Sequence, residues 1–208
     1  MDALVVGMNP NREAAEKFVL QGRTLRSQGQ NKKALDAFRQ AVLADPTLEE
    51  AFVEMGLIHI HIGEHEEAVA AFDKAIKLNP KSARAHAAKA EAFLTSGSFE
   101  EALQASLEGL RHMPESAELL VKKARSLESL GKLDDAVETY RAALKLESGD
   151  PSIWKALALC LDALERWSEV ERAYLIAADL HKKRGERNDA ESCLKFAKMA
   201  HDSSGAMA

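Results

Sequence analysis

Three histidines lie within the segment Leu57–Glu67 (LIHIHIGEHEE), and imidazole serves proteins both as a metal ligand and as a proton carrier. On a helix, His59 and His61 would point to opposite sides, because two residues correspond to about 200° of rotation. His61 and His65 have a suitable i, i+4 separation, but Gly63 is expected to break the helix between them. No cysteine or further histidine lies nearby to complete a zinc site. We therefore predict a core histidine at His59, hydrogen-bonded to the backbone, and two surface histidines.

Cysteines and paired acids are the remaining candidates for catalysis. Cys160 lies in the apolar run ALALCL and Cys193 in the C-terminal helical segment, so both are predicted to be packed thiols rather than nucleophiles. Four acidic pairs fall where helices are predicted to begin, where the helix dipole favours negative charge. They are Glu49/Glu50, Glu66/Glu67, Glu100/Glu101 and Asp134/Asp135. With no phosphate-binding glycine loop and no GxSxG motif, we predict a non-catalytic protein without a cofactor or metal.

The composition narrows the class of protein further. The 208 residues are 46% hydrophobic, only 5% aromatic and 29% charged, which suits a helix-rich globular protein. A net charge of −5 disfavours binding to nucleic acid or to anionic lipid. No apolar run reaches the roughly 18 residues of a membrane span, and the first ten residues lack the features of a secretory signal. Two cysteines build no disulfide framework, so we expect a reducing, cytoplasmic location.

Residues that recur every 34 positions dominate the sequence. Pro46, Pro80 and Pro114 have this spacing, and so do four alanines and three large residues four places after an alanine. The alanines are Ala34, Ala68, Ala102 and Ala136, and the large residues are Phe38, Phe72 and Tyr140. Such a period indicates a helical repeat, in which one helix pair cannot bury its apolar face alone and must stack on its neighbours.

This pattern resembles that of the tetratricopeptide repeat family, over roughly residues 15–182. The second repeat carries it most fully, with Phe52, Gly56, Ala68, Phe72 and Pro80 at the family's positions. The resemblance implies an all-α, right-handed α-solenoid of five helix pairs plus a C-terminal capping helix. We predict a partly flexible N-terminal segment at 1–14, repeats at 15–48, 49–82, 83–116, 117–150 and 151–185, a capping helix at 186–201 and a flexible tail at 202–208.

One apolar stripe distinguishes the second repeat. Val53, Leu57 and Ile60 follow each other at i, i+4, i+7, whereas each of the other repeats has at least one charged residue at the three equivalent positions. In the resembled family this side of the first helix faces the concave groove in which partners bind. We therefore predict a protein–protein interaction scaffold, or adaptor, that binds a peptide or helix of a partner protein. The predicted groove residues are Val53, Leu57, Ile60, His61, Arg23, Arg26, Arg84, Glu91 and Arg125.

Two other occupants of the apolar stripe stay open at this point. A second copy of the chain could cover it in a structural homo-oligomer, for instance a homodimer. The apolar segment Ala3–Met8 could also fold back over it within the chain. Three buried side chains contribute roughly 1.5–3 kcal/mol each, whereas association costs about 4–15 kcal/mol. Tight binding would therefore also need the charged residues of the groove.

A carboxylate clamp for chaperone tails, known in part of the family, is not expected here. In the resembled family this clamp consists of Lys and Asn on the first helix of one repeat, Asn on that of the next, and Lys and Arg on that of the third. The corresponding positions hold Val19, Arg23, Glu54, Arg84 and Ala88, and only Arg84 fits. Glu54 would repel a carboxylate.

Overall fold

The computed structural model describes residues 10–206, which form eleven α-helices joined by short turns. The helices are α1 Pro10–Ser27, α2 Asn31–Ala44, α3 Glu49–His61, α4 His65–Leu78, α5 Ala83–Ser96, α6 Phe99–His112, α7 Ala117–Ser129, α8 Leu133–Leu146, α9 Pro151–Ala163, α10 Trp167–Lys183 and α11 Arg187–Ala206. The all-α prediction of five helix pairs followed by a capping helix is confirmed. Ala3–Met8, the segment considered as a cover for the apolar stripe, lies outside the described residues.

Glycine and proline set the helix ends. Gly29, Gly63, Gly97 and Gly131 end the first helices of four pairs in the left-handed conformation, with φ between 72° and 81°. A glycine adopts this conformation without the steric cost of a Cβ atom. In the fifth pair Glu165 takes the equivalent place with a φ of 56°. The second helices α2, α4 and α6 each end two residues before a proline, which cannot continue the hydrogen-bond ladder.

The terminal helices extend past the predicted boundaries. Helix α1 begins at Pro10, so it includes residues that were assigned to the N-terminal segment. Helix α11 continues to Ala206, through most of the segment that was predicted as a tail. It packs a face of small residues (Ala190, Cys193, Ala197 and Ala200) and leaves Leu194, Phe196 and Met199 about half exposed. At the N-terminal end the predicted repeat register began at residue 15 and did not use Pro10, although proline is common at the first position of a helix. At the C-terminal end no proline or glycine lies at the expected boundary.

The chain divides into two compact units, and the division falls between Gly97 and Ser98. The first unit contains α1 to α5 and the second contains α6 to α11. The boundary therefore lies in the turn of the third helix pair, the pair whose repeat residues Ser106 and Gly109 depart most from the pattern.

Two fully buried phenylalanines centre the core of the first unit. Phe38 packs among residues of α1, α2 and α3, and Phe72 among residues of α3, α4 and α5. Each ring lies directly against a glycine of the paired helix. A Cβ atom on Gly22 would lie 2.6 Å from the Phe38 ring, and one on Gly56 would lie 2.5 Å from the Phe72 ring. These glycines therefore allow each helix pair to pack closely enough to bury its aromatic ring.

The second unit has one continuous core that extends over α7 to α11. Tyr140, Leu161 and Tyr174 are among its large buried side chains, and nine buried residues of the cluster are alanines. The Tyr140 hydroxyl donates a hydrogen bond to Glu128 Oε2 at 2.9 Å. The Tyr174 ring stacks on Phe196 of α11, with ring centroids 5.3 Å apart. The capping helix is thus joined to the rest of the unit by both small-residue packing and an aromatic contact.

The contact between Gly56 and Phe72 leads to a stability prediction. The substitution Gly56→Ala is expected to lower the free energy of unfolding by about 1–3 kcal/mol, because a Cβ atom forces a fully buried ring to move. Gly149→Ala is the control, since nothing lies within 4 Å of the added atom, and its change should stay within about 0.5 kcal/mol. Urea unfolding followed by circular dichroism gives both values. Equal changes in the two variants would contradict this account of close packing.

Candidate partner-binding surface

A buried carboxylate holds three arginines together in the first unit. Glu54 of α3 is fully buried, and its Oε1 accepts hydrogen bonds from Arg23 Nε at 2.9 Å and from Nη2 of Arg23 and of Arg84, each at 2.8 Å. Its Oε2 accepts from Arg26 Nη1 at 2.5 Å. Glu50, one helical turn earlier, is paired with Arg23 and lies 3.9 Å from Arg84 Nη1. We call these five residues the arginine cluster.

Three different helices contribute to the arginine cluster. Arg23 and Arg26 are three residues apart on α1, and Glu50 and Glu54 are four apart on α3, so each pair shares one side of its helix. Arg84 lies in the first turn of α5. Helices α1, α3 and α5 are the first helices of their pairs, and α3 packs against both of the others. We call the surface that they form the first-helix face.

The charges of the arginine cluster do not cancel. Burial by itself raises the pKa of Glu54, but hydrogen bonds from Arg84 and Arg23 and the charge of Arg26 outweigh it, so the pKa of this carboxyl lies below its ordinary value. Three guanidinium groups against two carboxylates leave one net positive charge. The arginine side chains are 39%, 37% and 46% exposed for Arg23, Arg26 and Arg84, so a ligand can reach each of them. The cluster can therefore accept another anion.

The apolar stripe is largely part of the core. Val53, predicted to be exposed, is 1% exposed and packs in the cluster that contains Ala85, Ala88 and Ala92 of α5, so this prediction is wrong. Small side chains on α5 allow that helix to approach α3 and cover the valine. Leu57 and Ile60 are partly buried against the same cluster and keep a fraction of their surface accessible.

The other predicted groove residues lie further apart. His61 is exposed at the end of α3, and Glu91 is half-buried on α5. Arg125 lies on α7 in the second unit. Of the predicted residues, the structure thus brings three, Arg23, Arg26 and Arg84, into direct contact with the same side chain, Glu54.

Sequence reasoning missed the role of Glu54. The sequence suggested only that this residue would repel a carboxylate, whereas its own carboxylate neutralises part of the arginine charge. A signal was present, because an acidic residue inside the otherwise apolar segment AFVEMGLI of α3 needs cationic partners once it is buried. Those partners are 28 to 31 residues away, close to one repeat.

The histidines have local roles. His59 Nδ1 lies 2.6 Å from Glu64 Oε2, so its partner is a carboxylate, and the prediction of a backbone partner is wrong. His65 contacts the Thr95 hydroxyl at 3.3 Å.

The contact between His59 and Glu64 recurs in the second unit. His181 Nδ1 lies 2.6 Å from Glu186 Oε2, again five residues later, at the end of α10. Asp189 adds a third potential ligand atom, and the three atoms lie within 4.8 Å of one another. Because the same histidine–glutamate contact closes the turn after α3 with the same spacing, we assign it a role in ending the helix.

Cys160 is buried in the hydrophobic core of the second unit, next to Glu128. Burial, followed by the nearby Glu128 carboxylate that accepts a hydrogen bond from the thiol, raises the pKa of Cys160 to about 12. Burial also raises the pKa of Cys193. Such thiols carry little thiolate at neutral pH, in agreement with the prediction of packed, unreactive cysteines.

The fold and the repeat spacing together define a helical-repeat protein. Family models described as tetratricopeptide repeat match residues 19–78, 53–117 and 117–160, which together cover more than half of the chain. The chain therefore belongs to the tetratricopeptide repeat family. No curated protein sequence gives a significant match. In the part of the chain that the structure describes, no helix is both long and apolar enough to cross a membrane.

Solved structures share the fold at low sequence identity. The chain is similar to TTC0263, a tetratricopeptide repeat protein of Thermus thermophilus, with a TM-score of 0.71 and 23% identity over 87% of this chain and 99% of that one. It is similar to pilF of Pseudomonas aeruginosa, with a TM-score of 0.70 and 19% identity over 95% and 99% of the two chains. YrrB, a tetratricopeptide repeat protein with an unusual peptide-binding site, gives a TM-score of 0.60 and 16% identity over 92% and 98%.

Glu54 leads to a prediction on stability and its pH dependence. Glu54→Gln is expected to lower the free energy of unfolding by about 1.5–3 kcal/mol at pH 7, because charge-assisted hydrogen bonds to three arginines are lost. Since the pKa of Glu54 is lowered by folding, its stabilisation is present above its ordinary value of 4.5 and is lost as pH falls through the folded value. Urea titrations at pH 7 and at pH 3 should therefore show the difference between the two proteins shrinking at low pH.

The control for this prediction is Glu50→Gln on the same helix. The Glu50 side chain is 42% exposed, so its loss should cost at most about 1 kcal/mol. If both variants had equal effects at pH 7, the burial of Glu54 would not be what makes its ion pairs strong.

Thiol reactivity tests the environment of Cys160. In a Cys193→Ser background, a soluble disulfide reagent at pH 8 is expected to modify folded Cys160 about a thousandfold more slowly than the unfolded chain, because a pKa raised from 9.0 to about 12 removes most of the thiolate. Absorbance of the released thiol, with and without denaturant, gives the two rates. If the folded protein were modified at a rate near that of the unfolded chain, the thiol of Cys160 would not be protected by burial.

Proposed function

We propose that this protein is a non-catalytic interaction scaffold that binds a peptide or helix of a partner protein on the first-helix face. The observation that carries the proposal is the arginine cluster, in which a fully buried carboxylate fixes three half-exposed guanidinium groups in place. Tetratricopeptide repeat proteins generally act as protein-interaction scaffolds and are typically non-catalytic. The peptide-binding site of YrrB, which shares the fold, supports the same class of ligand.

The chemistry of the arginine cluster favours an acidic segment. Guanidinium groups bind carboxylates through two parallel hydrogen bonds, and groups that are already fixed lose little freedom on binding. One net positive charge remains after Glu50 and Glu54 are counted, against a chain that carries −5 overall. We therefore propose that an aspartate or glutamate of the partner binds at Arg23, Arg26 and Arg84. The exposed parts of Leu57 and Ile60 add a small apolar contact next to it.

Self-association through this face is the alternative function. A homo-oligomer would need accessible apolar surface at the contact between copies, and the burial of Val53 reduces the apolar surface that is accessible on this face. Light scattering over a wide concentration range separates the two functions, because a constant monomer mass excludes the homo-oligomer.

A peptide selection tests the proposed function. Random displayed peptides are selected on the native chain, and the bound peptides are then measured against Arg84→Gln. We expect the selected peptides to be enriched in Asp and Glu, and Arg84→Gln to weaken their binding roughly fivefold, since one guanidinium–carboxylate contact contributes about 1 kcal/mol. Glu50→Gln should strengthen binding, because it raises the net charge of the cluster.

Arg39→Gln is the matched control. Arg39 lies on the second helix α2, is 59% exposed and pairs with Asp36, so this change removes the same charge away from the first-helix face. Peptides without an acidic excess, or equal weakening by Arg84→Gln and Arg39→Gln, would overturn the proposal.

A further inference from the structure

The second unit contains a cleft that the proposed function does not use. It lies between α8 and α10, both of which pack on α9, and it has a volume of about 430 Å³. Pockets of about 300–1,000 Å³ commonly accept ligands. Its walls belong mainly to second helices, whereas the first-helix face belongs to α1, α3 and α5. The cleft is therefore a separate surface on a separate unit.

The floor of the cleft is apolar. Leu144, Leu157, Leu161 and Ala173 are all less than 10% exposed and close its base. Ile176, at the rim, is 39% exposed. The indole Nε1 of Trp154 donates to the Ser148 carbonyl at 3.0 Å, which holds that ring in place at the edge of the cleft. A bulky apolar side chain would therefore meet a preformed apolar surface.

Cations surround this apolar floor. Arg141, Lys145 and Arg172 line the cleft together with a single acid, Glu169. That acid is already engaged, because Arg166 Nε donates to its Oε1 at 2.6 Å and Arg141 pairs with its Oε2. Within residues 10–206, the structure gives the exposed side chains of Lys145 and Arg172 no hydrogen bond or ion pair. Arg141 also donates to Glu138 Oε1 at 2.7 Å, so its charge is offset. Lys145 and Arg172 therefore leave the lining with an excess of two positive charges, in a chain of net charge −5.

We propose that this cleft binds an acidic segment of a partner protein, which inserts one bulky apolar side chain between Trp154 and Ile176. A carboxylate next to that side chain then pairs with Lys145 and Arg172. Apolar contact and charge complementarity both point to this occupant: an uncharged apolar peptide would leave the two cations unpaired, and a basic peptide would be repelled. Because different helices form it, this site does not depend on the first-helix face.

Peptide selection with a direct optical readout tests this site. The chain has two tryptophans, so Trp167→Phe leaves Trp154 as the only indole. Random displayed peptides are selected on this variant. Peptides that also bind a triple variant, in which Lys145→Gln, Arg172→Gln and Ile176→Ser are added to Trp167→Phe, are then removed. We expect the retained peptides to carry Leu, Ile, Phe or Trp beside Asp or Glu. Their synthetic forms should shift Trp154 fluorescence saturably and lose at least tenfold in affinity on the triple variant.

Controls separate this site from the first-helix face and from small amphiphiles. Lys195→Gln removes an exposed charge on α11 and should leave affinity unchanged, and so should Arg84→Gln. If Arg84→Gln lowered the affinity of the selected peptides instead, they would be binding at the first-helix face, and the proposal of a binding site in the cleft would be overturned. The proposal would also be overturned if every recovered peptide bound the triple variant as well. Decanoate binding as tightly as the peptides would overturn it too, because a free amphiphile would then be the occupant.

Discussion

A carboxylate placed in a protein interior costs several kcal/mol unless cations and hydrogen bonds compensate for lost water, and this constraint shapes the first unit. Glu54 meets it with guanidinium groups from the helices on both sides of α3. No single helix could supply this shell. The position of α1 and α5 relative to α3 is therefore tied to one acidic side chain, in addition to the apolar packing around Phe38 and Phe72.

The packing around α3 explains why an apolar pattern on one helix was a poor guide to its exposed surface. Ile58 faces the cluster around Phe38, while Val53 faces the cluster around Phe72 and the alanines of α5. A helix with neighbours on two sides needs apolar residues over more of its circumference than a helix that covers one core. The second apolar stripe of α3 is thus mainly what its central position requires.

The fold could be predicted from the sequence because short local patterns determine where each helix of the repeat begins and ends. Glycines at helix ends, prolines two residues after second helices, and alanines at fixed spacing each restrict the chain within a few residues. The candidate site was predicted only in part. Arg23, Arg26 and Arg84 stood out as charges on first helices, but their shared contact with Glu54 depends on side chains about one repeat apart. The cleft between α8 and α10 left no local pattern, since its ten lining residues come from three helices.

The buried carboxylate also affects how the surface of this protein could change during evolution. An exposed arginine on a solvent-facing helix can usually be replaced with little loss of stability. Here, replacing an arginine removes a partner of Glu54, and replacing Glu54 leaves three crowded guanidinium groups to repel one another. Substitutions that alter the charge of this face are therefore coupled across α1, α3 and α5. A lineage that recruits a different partner here would be expected to change these residues together, whereas an exposed ion pair within one helix, such as Arg39 and Asp36 of α2, can change without affecting other helices.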